Sequence, residues 1–189
     1  LHAALSICVY NSLCAASACM LAGVSLPALE PLLPRLPQVP GRMQMLQKNG
    51  VTFCVDFAHT PDALSAALTA LRGCAQGRLF AVFGCGGDRD KTKRPAMGRI
   101  AATLSDCVIL TSDNPRSEDP EAILRDIKSG VGKRCTVFCE PDRAKAIRLA
   151  YGKAEPGDVI LVAGKGHETA QLVGAQTLPF SDVDVINAI

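Results

Sequence analysis

The sequence predicts an α/β domain, a mostly parallel sheet with helices on both faces and with the last strand or strands antiparallel. Two observations lead there. Short apolar, β-rich runs at 51–57, 79–84, 107–112, 135–139 and 158–163 alternate with helical stretches at 61–73, 95–105, 120–129 and 142–153. That succession calls for right-handed crossovers, which set successive strands parallel and lay helices over the sheet. The second observation is the tail, where AQLVGAQTLPF after residue 163 reads as a closing hairpin turning at Gly174-Ala175.

Two helix starts are marked by local chemistry. Thr60-Pro61 and Asp119-Pro120 each place a capping side chain before a proline at the first helical position, where the missing N–H costs nothing. Ahead of them, Pro27, Pro31, Pro34, Pro37 and Pro40 forbid a continuous helix and make an extended or stepped connector. The domain boundary is placed there, with residues 1–39 as an upstream tail plus connector and 40–189 as the domain itself.

The apolar opening, Leu1 to Val24, lacks a basic start and is interrupted by His2, Asn11 and several serines, so it reads as a buried helix rather than an export signal. A chain beginning at Leu1, with nothing upstream for that helix to pack on, reads as a piece of a longer protein. Its 189 residues are enough for one core without metal or disulfide staples.

Charge is nearly balanced, 20 Lys+Arg against 18 Asp+Glu, and Trp is absent. Nothing in that balance favours a nucleic-acid groove or an anionic membrane surface. The nine cysteines are scattered without a CxxC pair, which favours buried thiols in a reducing cytoplasm over a zinc site or disulfide framework.

Ligands of open parallel sheets bind outside the carboxyl ends of the strands, where loops are free to vary and helix N-termini point at the site. Those loops read DFAHTP (56–61), GCGGDRDKTKRP (84–95), DNPR (113–116), EPDR (140–143) and GKGHE (164–168). Each sets ionisable groups beside Gly or Pro, and together they form a constellation that none makes alone.

The 84–94 loop offers glycine-freed N–H groups with Arg89, Lys91, Lys93 and Arg94, so an anion is its natural guest, the alternative being a solvated basic loop. It is neither a dinucleotide fingerprint nor a phosphate-binding GK[ST] loop. In DNPR, Asp113 and Asn114 can shape their own turn, Pro115 stiffens it, and Arg116 projects a fork suited to a carboxylate.

In GKGHE, Gly164 and Gly166 let backbone approach a ligand and Glu168 can pair an ammonium. Lys165 and His167 are divided between that site and a surface or helix-start role. Asp56 and His59 share a turn without a Ser or Cys nucleophile beside them, which favours ligand hydrogen bonding over acid–base work, with plain turn formation as the alternative. The loops together point to a zwitterionic or polyanionic small molecule and leave the reaction open.

Gly41-Arg42-Met43, DFAHTPDAL, FGCGGDRDKTKRP, SDNPRSEDP and DVILVAGKGHE, in that order and spacing, resemble the C-terminal domain of the Mur ligase family. The resemblance implies a Rossmann-like domain that presents an amino acid within a three-domain ligase, with 1–39 as the tail of the central ATPase domain.

It also implies ATP and Mg²⁺, both held mainly by that absent central domain, so no catalytic residue and no metal site is expected in this piece. The implied substrates are UDP-N-acetylmuramoyl-L-Ala-D-Glu and meso-diaminopimelate, since DNPR is the pattern of members taking that amino acid; the implied compartment is the cytoplasm. Diaminopimelate contacts carry over to Arg89, Asp113, Asn114, Pro115, Arg116, Gly164 and Glu168, and nucleotide contacts to Asn11, Arg42, Asp56 and His59.

Departures from the family pattern stand at Cys8, Phe57 and Val183. A non-catalytic assembly module of the same fold and a sister ligase adding another amino acid are the competing readings. Arg116 and Glu168 weigh against the first, and DNPR against the second.

Overall fold

The alternation is present in the computed structural model, which describes residues 6–132 and 135–189. Strands β1 (Gln44–Lys48), β2 (Val51–Asp56), β3 (Leu79–Phe83), β4 (Cys107–Leu110), β5 (Thr136–Cys139) and β6 (Val159–Ala163) form one sheet. Their order is β1-β2-β6-β3-β4-β5, parallel throughout except for β1 against β2.

Helices α1 (Ser6–Leu21) and α2 (Leu26–Leu29) precede the sheet. Then come α3 (Pro61–Arg72), α4 (Lys93–Leu104), α5 (Pro120–Lys128), α6 (Arg143–Lys153) and α7 (Asp182–Asn187). A separate hairpin, β7 (Ala170–Val173) with β8 (Gln176–Pro179), turns at Gly174-Ala175 as expected.

Alternate strand side chains feed two cores. Cys54, Ala81, Val108 and Leu161 pack with α3, α4 and α5 through Leu64, Leu68, Met97 and Ile127. On the other face Phe53, Phe80, Ile109 and Ile160 pack with α6 and α7 through Ile147, Ala150 and Ile186. Strands covered on both faces must be apolar along their length, which is why the sequence shows runs rather than alternation. Each fully buried Leu, Ile or Phe contributes about 1.5–3 kcal/mol.

Thr60 caps α3 by accepting from the Ala63 N–H, and Asp119 caps α5 by accepting from Glu121 N–H. Asp142 does the same for α6 through Lys145 N–H.

The closing strands are antiparallel as expected, β7 and β8 pairing with each other in a small second sheet, and β1 adds an antiparallel edge to the main sheet. The connector takes the stepped form: α2 and a 3₁₀ turn at Glu30–Arg35 occupy it, with Pro27 and Pro31 in their first turns and Pro34 inside the 3₁₀ turn. Helix α4 begins at Lys93, two residues before the expected start.

The opening helix forms but is not buried, since Tyr10 is 69% and Leu21 91% exposed. Its cysteines Cys14 and Cys19 are exposed with it, as is Cys139 on the edge strand; among the described residues Cys54, Cys85 and Cys107 are the buried thiols. Residues 1–5 of that opening and the side chain of Cys8 lie outside the described residues. Among the described residues no helix is long and apolar enough to cross a membrane.

Candidate functional site

All five loops leave the carboxyl edge of the sheet, and close backbone approach locks them together. Gly84 passes against the Thr111 carbonyl and Gly87 against the Pro115 carbonyl, so a Cβ at either would collide with backbone. Gly87 N–H donates to Asn114 O at 2.9 Å. Asp88 accepts from Ser117 Oγ at 2.7 Å and N–H at 3.2 Å, which hold its carboxyl below the usual range.

Glu118 is the hinge pin of this pair of loops. It receives Arg94 Nη1 at 3.0 Å and Nη2 at 2.9 Å, Asp88 N–H at 2.6 Å and Lys91 Nζ at 3.1 Å. The Arg94 bonds, followed by the Asp88 N–H, pull its carboxyl down to about 2. Arg94, with a side chain 1% exposed, also pairs Asp126 at 2.9 Å. Two of the four cations read as anion-facing are thereby committed to Glu118, and Lys93 Nζ donates to His59 O at 2.8 Å.

Arg116 sits in the left-handed region at φ +53°, a cost offset by the hairpin, which takes its N–H on Leu172 O at 3.0 Å and gives Gly174 N–H to its carbonyl at 2.7 Å. Its Nη1 donates to Gly87 O at 2.9 Å. The rest of the guanidinium fork makes no hydrogen bond among the described residues. Gly86 lies against both Arg116 Nη1 and the Arg89 side chain, whose Nη1 donates to the carbonyl of the preceding Asp88 at 3.0 Å.

An acidic cluster is tied to Arg116 through Asn114, whose carbonyl accepts Arg116 Nη1 at 3.4 Å. Glu168 Oε2 receives Lys165 Nζ at 2.9 Å and Asn114 Nδ2 at 2.9 Å, while Asn114 Oδ1 receives Lys165 Nζ at 3.0 Å and Leu172 N–H at 3.0 Å. Burial would raise the Glu168 carboxyl, but the Lys165 and Asn114 bonds outweigh it and hold it low. Asp113 is 8% exposed, and its carboxylate accepts no hydrogen bond among the described residues. Gly164, at φ +112°, lies against Asp113 Oδ2, where a side chain would clash. Pro115 meets the glycine loop through its carbonyl.

A second group gathers around Phe57. The Arg42 guanidinium lies 4.7 Å over its ring, His59 meets it edge-on at 4.6 Å, and His167 lies 5.4 Å away. Gly41, at φ +64°, packs directly on Gly166 and His167, joining the 41–43 segment to the GKGHE loop. Asp56 uses both oxygens locally, on Met43 N–H and Ala58 N–H, each at 2.8 Å. Burial raises its carboxyl despite those bonds.

Asn11 is exposed on α1 and shares no hydrogen bond with Arg42, Asp56 or His59 among the described residues. The structure thus brings together the expected amino-acid residues, gathers three of the four nucleotide candidates, and leaves Asn11 apart.

The EPDR loop supports the site from below. Asp142 caps α6, and Arg143 is buried against Asp182 while donating to Ser112 O and Ala163 O. Sequence reasoning missed Arg143, Asp182 and the burial of Lys165. No local pattern announces Arg143 and Asp182, which lie 39 residues apart, and Lys165 is buried through Asn114, 51 residues away, as well as through its near neighbour Glu168. Burial pushes the Cys85 thiol up to about 12, so it offers no thiolate to the loop it lies in. Among the described residues no group of three or more His, Cys, Asp or Glu is placed to hold a metal ion.

A doubly wound α/β domain whose strand-end loops tie a guanidinium fork and a braced carboxylate to one asparagine belongs to the class of domains that bind small charged molecules. Residues 41–166 match the family described as Mur ligase, glutamate ligase domain. The chain belongs to the Mur ligase family.

A relative from Prochlorococcus marinus, named UDP-N-acetylmuramoyl-L-alanyl-D-glutamate–2,6-diaminopimelate ligase, is 51% identical over 88% of this chain and 34% of its own length. One of the same name from Geobacillus kaustophilus is 48% identical over 95% of this chain and 37% of its own. A solved structure of a ligase of that name aligns with TM-score 0.76 at 44% identity, over 90% of this chain and 35% of that one. E. coli FolC in complex with ADP shares the fold, with TM-score 0.64 at 22% identity, over 83% of this chain and 36% of its own. The chain spans about a third of the length of the relatives it matches.

Proposed function

We propose that this chain is the amino-acid-accepting domain of an ATP-dependent ligase that joins meso-diaminopimelate to UDP-N-acetylmuramoyl-L-Ala-D-Glu. The observation that carries the reading is that Asn114 joins Arg116 and Glu168, its carbonyl accepting Arg116 Nη1 at 3.4 Å and its Nδ2 donating to Glu168 Oε2 at 2.9 Å. Among the described residues the rest of the Arg116 fork and Glu168 Oε1 make no hydrogen bond, as a distal zwitterion requires. Arg89 assists at a substrate carboxylate, Asp113 adds negative charge on the ammonium side, and Asn114, Pro115 and Gly164 shape the floor.

The Arg42, Asp56 and His59 group is the nucleotide side, with Asn11 as its outlying member. Arg42 and His59 present cation and ring edge around Phe57, and Asp56 holds the loop that carries them. Residues 1–39 are the tail of the ATPase domain. ATP, when bound, supplies the phosphoryl group that activates the acceptor carboxylate, with Mg²⁺ assisting, and both are held chiefly outside this chain. The compartment is the cytoplasm.

What these residues do in the reaction is orient. A distal zwitterion clamped at both charges fixes the near amine, converting an encounter between two solutes into a reaction within one complex.

The test is Arg116→Ala in the full-length enzyme. Removing one partner of a desolvated pair costs about 2–5 kcal/mol, so kcat/KM for meso-diaminopimelate is expected to fall roughly 30-fold to several thousand-fold. Lysine, which lacks the second carboxylate, is expected to suffer far less, so the selectivity ratio narrows. Equal losses for both amino acids would assign Arg116 to loop shape alone and sink the reading.

A further inference from the structure

Lys165 is 0% exposed, although nothing in its glycine-rich surroundings requires a long cationic side chain to fold inward. A buried ammonium is tolerated only when it is paired and hydrogen-bonded. Here the pairing is triangular. Lys165 Nζ reaches Glu168 Oε2 at 2.9 Å and Asn114 Oδ1 at 3.0 Å, and Asn114 Nδ2 closes the figure on the same Oε2 at 2.9 Å.

This leaves each site group one orientation. Asn114 Oδ1 takes two donors, Lys165 Nζ and Leu172 N–H, so reversing the amide would turn an N–H₂ group onto an ammonium and a backbone N–H. Glu168 Oε2 likewise takes two donors, while Oε1 takes none among the described residues.

We propose that Lys165 is a positioning residue for amino-acid selection: by occupying Glu168 Oε2 and Asn114 Oδ1, it leaves Glu168 Oε1 and the second Nδ2 hydrogen of Asn114 aimed at a substrate's distal ammonium and carboxylate. The proposal rests on the amino-acid-accepting reading above and deepens it. Lys165 also offsets the charge of Glu168, so a bound ammonium is held there by the direction of Oε1, while the neighbouring Asp113 carboxylate, which accepts no hydrogen bond among the described residues, adds charge. Without the lysine, Glu168 keeps only Asn114 Nδ2 as a donor among the described residues, and its side chain, 34% exposed already, can rotate toward solvent.

The test is a double-mutant cycle in the full-length enzyme with Lys165→Met, Glu168→Gln and both together, since a contacting pair shows coupling where independent sites add. Lys165→Met is expected to raise KM for meso-diaminopimelate roughly 10-fold while KM for ATP stays within about 2-fold, and to add less than about 3-fold in the Glu168→Gln background. Multiplying losses, or equal rises in both KM values, would overturn the proposal and leave Lys165 a structural strut.

If Lys165→Met fails to fold, Lys165→Gln keeps a donor for Asn114 Oδ1 and runs the same cycle. Failure of the parent reading shows separately, as a wild-type enzyme that does not turn over meso-diaminopimelate. The cycle is then run with the amino acid it does accept, and the Lys165–Glu168 coupling still decides.

Discussion

Arg143 and Asp182 form an ion pair with no solvent-exposed side-chain surface, joined by Nε to Oδ1 at 2.7 Å and Nη2 to Oδ2 at 2.8 Å. The same guanidinium donates to Ser112 O at 3.4 Å and Ala163 O at 2.9 Å, the carbonyls just ahead of Asp113 and Gly164. The C-terminal helix α7 is thereby strapped to the ends of β4 and β6.

Breaking one side of that pair strands a buried charge. Asp182→Ala is expected to destabilise the chain by about 3–5 kcal/mol, whereas replacing both partners with apolar residues of similar volume recovers most of the loss. Denaturant unfolding measures both. A single-variant loss under about 1 kcal/mol would mean that Arg143 finds other acceptors and the strap is dispensable.

Glu118 sets an acid limit on the paired loops. Its carboxyl is held at about 2 against an ordinary 4.5, chiefly by Arg94. A depressed carboxylate stabilises the folded state above its unfolded pKa, and that contribution is lost as pH falls from about 4.5 toward 2. The melting temperature is expected to drop across this window, and Glu118→Gln to be less stable at neutral pH but flatter in its acid dependence. A variant with the wild-type slope would show that Asp88 and Glu168, whose carboxyls are also held low, carry the acid sensitivity instead.

Gly87 tests the contact between the 84–94 and 113–118 loops. A methyl group there meets the Pro115 carbonyl, a backbone atom that cannot rotate away, so the loops must part. Gly87→Ala is expected to cost about 1–3 kcal/mol and to weaken amino-acid binding in the full-length enzyme, because Arg116 Nη1 is anchored on the Gly87 carbonyl. Unchanged KM for the amino acid would show that the fork keeps its aim without that anchor.

The strands β2 to β6 and helices α3 and α5 were legible because their signals are local: apolar runs, Thr60-Pro61, Asp119-Pro120. Strand β1 was missed although Asn49-Gly50, both at positive φ, is a two-residue hairpin turn that betrays it. Helix α7 was missed because six residues behind a serine cap carry too little periodicity to read. The exposure of α1 follows from what packs on it, and an apolar composition alone says nothing of that.

From the sequence alone came the α/β alternation, the closing hairpin and five loops carrying Arg116 and Glu168 to one edge, since strand polarity brings those loops there; Asn114 entered the site through the family resemblance. Only the tertiary structure decided which charges are free. Arg94 and Lys91 are committed to Glu118, Lys165 to Glu168 and Asn114, and Arg143 to Asp182, while Arg116 keeps most of its fork. The physical reason is that a buried charge takes its partner from whatever the fold brings within about 3 Å. Except for Glu168, three residues from Lys165, those partners lie on other loops and helices, beyond the reach of any pattern written along the chain.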